Sequence, residues 1–143
     1  MRSSADVSDA QAHQPPPKRL KVFSVRNAER NTVLATRAKL ASSYIDRLFG
    51  LMGRKGVPEG GGILLTKSAS IHSFFMRFRF DAIFLDRENR VVKVVPSMRQ
   101  WWVAFGGRGA KDCLELASGV AAATNTQPGD TLVFDAPEDD AAG

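Results

Sequence analysis

Residues 82–95 read AIFLDRENRVVKVV. Two runs of β-branched and aromatic residues flank the polar link REN, in which Asn89 suits a left-handed backbone position. The stretch predicts a β-hairpin, and the rest of the chain is built in the same style. KVFSV (21–25) and TVLAT (32–36) alternate polar and apolar residues on either side of RNAERN, which predicts a second hairpin. ILL (63–65) reads as a short buried strand after the glycine-rich loop KGVPEGGG. DCLELA (112–117) reads as a strand with Leu114 and Leu116 on one face and Cys113 and Glu115 on the other. QPGD (127–130) places Pro and Gly as a type II turn requires, leading into the strand TLVF (131–134).

Helical signals are few. In SSYIDRLFGLMGR (42–54) Ser43 can cap a helix, Asp46 suits its positive end, and Tyr44, Ile45, Leu48 and Phe49 form an apolar stripe that Gly50 ends or kinks. SGVAAAT (118–124) fits one helical turn or two, and the glycine-rich, aromatic PSMRQWWVAFGGRGA (96–110) reads as a loop. There is no long helix and no internal repeat. The predicted fold is α+β: mainly antiparallel β, a barrel-like or sandwich-like single domain with one or two short helices.

Charge and composition bound the function. Residues 20–134 carry 17 Lys and Arg against 9 Asp and Glu, a basic body that favours anionic ligands or nucleic acid over cationic ones. Residues 1–19, ending in HQPPPKR, and the acidic 135–143 hold too little apolar surface to offset their ordering entropy, so both are expected to be disordered tails around one domain. No apolar window approaches the roughly 20 residues a bilayer requires, and a cytoplasmic location is the default expectation. The lone Cys113 excludes an internal disulfide, and with His13 and His72 as the only histidines a Cys/His zinc site lacks ligands. Neither GGG (60–62) nor GGRG (106–109) has the strand-to-helix context of a phosphate loop, so no cofactor is expected.

The densest chemistry lies in IHSFFMRFRFD (71–81), where charged residues sit among phenylalanines. If IHSFFM is a strand, His72 and Met76 share a face, and a histidine there can act as acid, base or ligand contact. Asp81 and Glu115 stand within apolar runs and need partners, for which Arg47 and Arg77 are candidates. Asp86, at the hairpin turn, is expected to bond its own backbone. Trp101 and Trp102, with Arg99 beside them, have the amphipathic character of a ligand site or interface. Cys113 reads as a small buried hydrophobe.

Six motifs in order carry a family resemblance: RLFGLMGR, SIHSFFM, FDAIFLD, RVVKVV, CLELASG and PGDTLVF. Together they resemble the bacterial and archaeal family called domain of unknown function 192, whose small β-rich α+β members have no assigned activity. The resemblance implies a fold and transfers no chemistry. The chain departs from the family pattern at Ser73, where relatives carry Thr, and at Arg79 and Ala117, where they carry Pro. A proline at position 79 would interrupt a central strand, so RFRFD is read as an irregular crossing that turns Phe78 and Phe80 inward and lets Arg77 and Arg79 reach solvent.

Three functions follow. The leading expectation is a non-catalytic binding domain for a small polar or anionic ligand or a peptide, with a cleft framed by His72, Asp81, Trp101 and Glu115. Ser73, Met76, Arg77 and Arg99 complete the expected ligand-binding set. The alternatives are an acid/base enzyme using His72 with Asp81 or Glu115, and single-stranded nucleic-acid binding by the Phe and Arg surface.

Overall fold

The computed structural model describes residues 21–41, 56–74 and 76–137. Strand β1 (Val22–Asn27) and β2 (Thr32–Ala41) form the first hairpin. Its turn is set by Asn27, whose Oδ1 accepts the N–H groups of Glu29 and Arg30 at 3.1 Å each, and by Asn31 at φ +54°, a backbone that Asn tolerates. Strand β3 (Gly61–Leu65) runs parallel to β2, and β4 (Ser70–His72) follows. Then β5 (Phe80–Leu85) and β6 (Val91–Met98) make the hairpin expected at 82–95. Asn89 sits at φ +60°, and Asp86 Oδ1 accepts the N–H groups of Glu88 and Arg90, as its turn position predicts. Strands β7 (Val103–Phe105), β8 (Asp112–Ala117) and β9 (Leu132–Asp135) complete the sheets, with the one-turn helix α1 (Val120–Ala123) between the last two. The expected turn at 127–130 is present: Gly129 has φ +97° and the Asp130 N–H donates to the Gln127 carbonyl.

Seven strands form a curled half-barrel in the order β6-β5-β8-β3-β2-β1-β9, antiparallel except at β2–β3, and β4 and β7 form a small second sheet. The edges β6 and β9 approach each other where Arg90 bridges Thr131, helped by bonds from Val91 N–H to the Asp130 carbonyl and from Leu132 N–H to the Asn89 carbonyl. That closure gives both edges partners at one end and protects them from foreign strands. Pro96, which lacks a ladder donor, lies on edge strand β6.

Two cores lie on opposite faces of the sheet. The first draws on all seven strands and on Ala121 of α1, including Phe23, Leu64, Ile83, Leu114, Leu132 and Phe134, and fills the concave side. The second lies beneath the small sheet, where Phe80, Ala82, Phe84, Cys113 and Met98 meet Ile71 and Ala104 from β4 and β7, with Met76 and Phe78 between. Being covered on both sides explains why β5 is buried at all six positions and why its sequence is a continuous apolar run. On β8, Leu114 and Leu116 face the first core and Cys113 the second, the expected alternation. Gly106 lets β7 settle onto β5: a Cβ there would stand 2.6 Å from Phe84 Cδ1 and 2.5 Å from Ala110 Cβ.

Several expectations need correction. The strand predicted over IHSFFM ends at His72, and the run at 96–110 is not all loop, because β6 continues to Met98 and β7 forms at 103–105. Strand β9 runs one residue past the expected domain end and includes Asp135. The crossing at 77–80 is as expected, with Arg77 and Arg79 exposed and Phe78 and Phe80 buried. The helix predicted near Ser43 and the tails 1–19 and 138–143 lie outside the described residues. Among the described residues, no helix is long and apolar enough to cross a membrane.

Candidate functional site

Ser73 determines how the small sheet meets the loop at 99–102. Fully buried, its Oγ accepts the Trp102 N–H at 2.8 Å and donates to the Arg99 carbonyl, while its own N–H donates to the Trp102 carbonyl at 2.9 Å. The Ser73 carbonyl accepts the N–H of Met76 and, more distantly, that of Trp101. A short hydroxyl side chain at the end of β4 therefore closes the strand and anchors the tryptophan loop, where Trp101 itself adopts φ +58°. Ser73 is a structural latch in this fold, buried beneath the surface it organises.

Above the latch lies an aromatic face. The His72 ring packs on Phe74 at 4.4 Å between centroids, and Phe74 stacks on Trp101 at 5.7 Å and 25°. His72 Nδ1 accepts the Phe74 N–H at 3.2 Å. The Arg99 guanidinium lies 5.9 Å from the centroid of the Trp102 ring. His72 pairs across the sheet with Val103, and Ser70 with Phe105, so these four residues look outward while Ile71 and Ala104 look into the second core. Among the described residues five large hydrophobics are exposed, and four belong to this segment: Trp101 59%, Trp102 55%, Val103 41% and Phe105 64%. At the far end Lys93 Nζ donates to the Phe105 carbonyl at 2.9 Å.

The segments that build the small sheet and its flanks are basic: residues 66–80 and 91–111 contain three and four Lys or Arg respectively and no Asp or Glu.

The other expected site residues part company. Met76 turns into the second core, so it shares no face with the outward His72. Arg77 is exposed on the crossing after Met76. Asp81 pairs with Leu116 and Glu115 with Ala82, so the two carboxylates project from opposite faces of the large sheet: Asp81 with the first core, Glu115 with the second. The four residues expected to frame one cleft thus lie in three places: Asp81 toward the first core, Glu115 toward the second, and His72 and Trp101 on the outer side of the small sheet.

Nor is an arginine the described partner of Asp81. A bulge at Pro96–Ser97 on β6 takes the Ser97 N–H out of the ladder, and Asp81 Oδ1 accepts it at 2.9 Å. Oδ2 accepts the N–H groups of Gly119 and Ala121 at 3.1 and 2.8 Å, capping α1 from a neighbouring strand. Arg47 lies outside the described residues. The face residues that the sequence reading missed are Val103, Phe105 and Lys93. WWVAF is apolar at all five positions, so no local alternation marked Val103 and Phe105, whose facing is set by the pairing of β7 with β4.

Two carboxyls with shifted acidity lie away from this face. Burial pushes Asp112 up, against the opposing Lys67 N–H bond and Lys111 charge. Burial acts the same way on Asp130, but hydrogen bonds from the Asn27 amide, Arg30 and the Gln127 N–H outweigh it and hold that carboxyl below its usual range.

A curled seven-stranded half-barrel carrying a two-stranded flap defines a class of small β-rich domain. The chain belongs to the DUF192 family (Uncharacterized ACR), which it matches over residues 25–134. It is 32% identical over 120 residues to the UPF0127 protein of Thermococcus sibiricus, spanning 81% of this chain and 77% of that one. To the UPF0127 protein PH1112 of Pyrococcus horikoshii it is 32% identical over 103 residues, 62% of this chain and 88% of the relative. Its fold is similar to that of a Novosphingobium aromaticivorans protein of unknown function, with a TM-score of 0.65 at 20% identity over 86% of this chain and 94% of the other.

Proposed function

We propose that the protein is a non-catalytic binding domain, and that it takes its ligand, a peptide or a small anionic molecule, on the outer face of β4 and β7 with the 99–102 loop. One observation carries the reading: four of the five exposed large hydrophobics among the described residues fall in the five-residue segment 101–105. Hydrophobics scattered singly over a surface need no explanation, but a contiguous group held on a sheet by a buried latch is the composition of an interaction surface. Tyr, Trp and Arg dominate the energetics of such surfaces, and here Trp101, Trp102 and Arg99 stand together.

The test uses the two tryptophans, the only ones in the chain, as reporters. Short peptides and small organic anions are titrated while indole emission is followed, in wild type and in Phe105→Ser, which removes an anchor and leaves both indoles in place. Saturable emission changes that Phe105→Ser weakens several-fold are expected. Ligands that stabilise wild type and Phe105→Ser equally, with no emission change in either, would place binding elsewhere and remove the proposal.

A further inference from the structure

We infer that the occupant of this face is an acidic peptide segment that brings an apolar centre between two groups of carboxylates. The inference rests on the surface reading above and adds the partner's chemistry.

Charge comes first. The segments that build the face carry seven cations and no carboxylate, so a second cationic surface, including the same face of another copy of this chain, would meet like charge. An acidic partner meets complementary charge. Arg99 and Lys93 lie at opposite ends of the aromatic strip, since Lys93 reaches the Phe105 carbonyl and Arg99 covers Trp102. They are six positions apart along β6 and its continuation, at most about 20 Å and less where the Pro96–Ser97 bulge bends the chain. A bound strand would span that distance with at most about six residues, which bounds the spacing of its two acidic groups.

The burial of Phe78 and the ring faces already engaged favour a peptide over a nucleic-acid strand. Base stacking needs open ring faces. One face of Trp101 is taken by Phe74, and one face of Trp102 by the Arg99 guanidinium. Phe78, which the nucleic-acid reading requires on the surface, is buried in the second core. What remains is one face and the edges of each indole together with Val103 and Phe105, an apolar strip suited to Leu, Val or Phe side chains. A free small anion would find the cations but leave the apolar centre unused.

The experiment titrates full-length protein with a fluorescein-labelled peptide of two Glu, a Leu-Ser-Phe-Ser-Leu centre and two Glu. Its controls are the same peptide with Lys for every Glu, a neutral form with Gln for every Glu, a twelve-residue thymidine oligonucleotide, and citrate. The expected result is saturable binding of the acidic peptide with a blue shift of indole emission. Affinity falls roughly tenfold between about 0.05 and 0.5 M NaCl as the flanking charges are screened. Arg99→Gln and Phe105→Ser each weaken it several-fold. The inference is overturned if the acidic peptide fails to bind, if the Lys peptide or the oligonucleotide binds as well, if citrate alone displaces the peptide, or if sedimentation shows a dimer that Phe105→Ser dissociates. A neutral peptide that binds tightly and is lost in Phe105→Ser would sink the acidic partner while leaving the surface reading intact. Binding indifferent to Phe105 would remove both.

Discussion

Replacing Asp81 by Ala removes one fully buried carboxylate and deprives three backbone N–H groups of their acceptor. The donor on Ala121 is buried, and stranding such a group costs about 1–3 kcal/mol. Those of Ser97 and Gly119 are part-buried and can recover some hydration, so each contributes about 0.5–1 kcal/mol. The expected loss is about 2–5 kcal/mol, a large share of the roughly 5–15 kcal/mol that stabilises a domain. Asp81→Asn separates the contributions. Its amide can turn the carbonyl toward Gly119 and Ala121 and leave only Ser97 opposite the NH2, for a loss of about 1–2 kcal/mol. Urea unfolding followed by circular dichroism should rank wild type above Asp81→Asn above Asp81→Ala with a common slope. Because Asp81 faces away from the small sheet, indole emission of the folded Asp81→Asn protein should match wild type. A loss below about 0.5 kcal/mol for Asp81→Ala, the scatter of ordinary surface substitutions, would refute the capping role.

Gly106→Ala forces a Cβ to 2.6 Å from Phe84 and 2.5 Å from Ala110, so thermal unfolding should report a loss of about 1–3 kcal/mol from overpacking. Ser73→Ala leaves the Trp102 N–H without its hydroxyl acceptor and should cost about 1–2 kcal/mol while altering indole emission, which a defect remote from the loop would not do. In acid, two carboxyls act with opposite sign. The folded pKa of Asp130 is depressed, so its stabilisation is present above the ordinary value of 3.8 and is lost as pH falls through its lower folded value. Asp130→Asn should therefore flatten the acid limb of stability. The folded pKa of Asp112 is raised, so its stabilisation is present below 3.8 and is lost as pH rises through the raised value. Relative to wild type, Asp112→Asn should fare better at pH 7 than at pH 3.5, as paired urea titrations will show.

Local chemistry made the elements legible. Asn89 and Asp86 declare the β5–β6 turn, Pro128 and Gly129 the turn before β9, and the alternation of DCLELA its two faces. Each signal lies within a few residues of its consequence. What stayed hidden depends on pairing between distant segments. Nothing near Thr32 or Gly61 announces that β2 and β3 pair in parallel, and the register between β5 and β8 alone puts Asp81 and Glu115 on opposite faces. Both carboxylates do occur within apolar runs, but which lining each one meets is a property of the sheet. For the candidate site, Trp101, Trp102 and Arg99 were legible as a group from their side chains. Val103 and Phe105 needed the pairing of β7 with β4 before exposure could be assigned to them.

The distribution of charge along β6 gives the aromatic face a kinetic signature. At one end of the strand, where the sheet edges meet, carboxylates are employed: Glu29 accepts the Thr131 N–H, Asp130 pairs with Arg30, and Asp86 holds its turn. Some eight residues away, at most about 26 Å along the strand, the tryptophan loop carries Arg99, and residues 91–111 around it contain no Asp or Glu. Such an asymmetry would steer the proposed acidic partner toward the small sheet before any ring is touched. Rim charge should then govern association and the apolar centre dissociation. Arg99→Gln is expected to slow association of the acidic peptide several-fold and to reduce its dependence on salt, with the dissociation rate little changed. Phe105→Ser is expected to do the reverse. Stopped-flow traces in which both variants altered only the dissociation rate would show that the cations act as ordinary contacts, and the steering role would have to be abandoned.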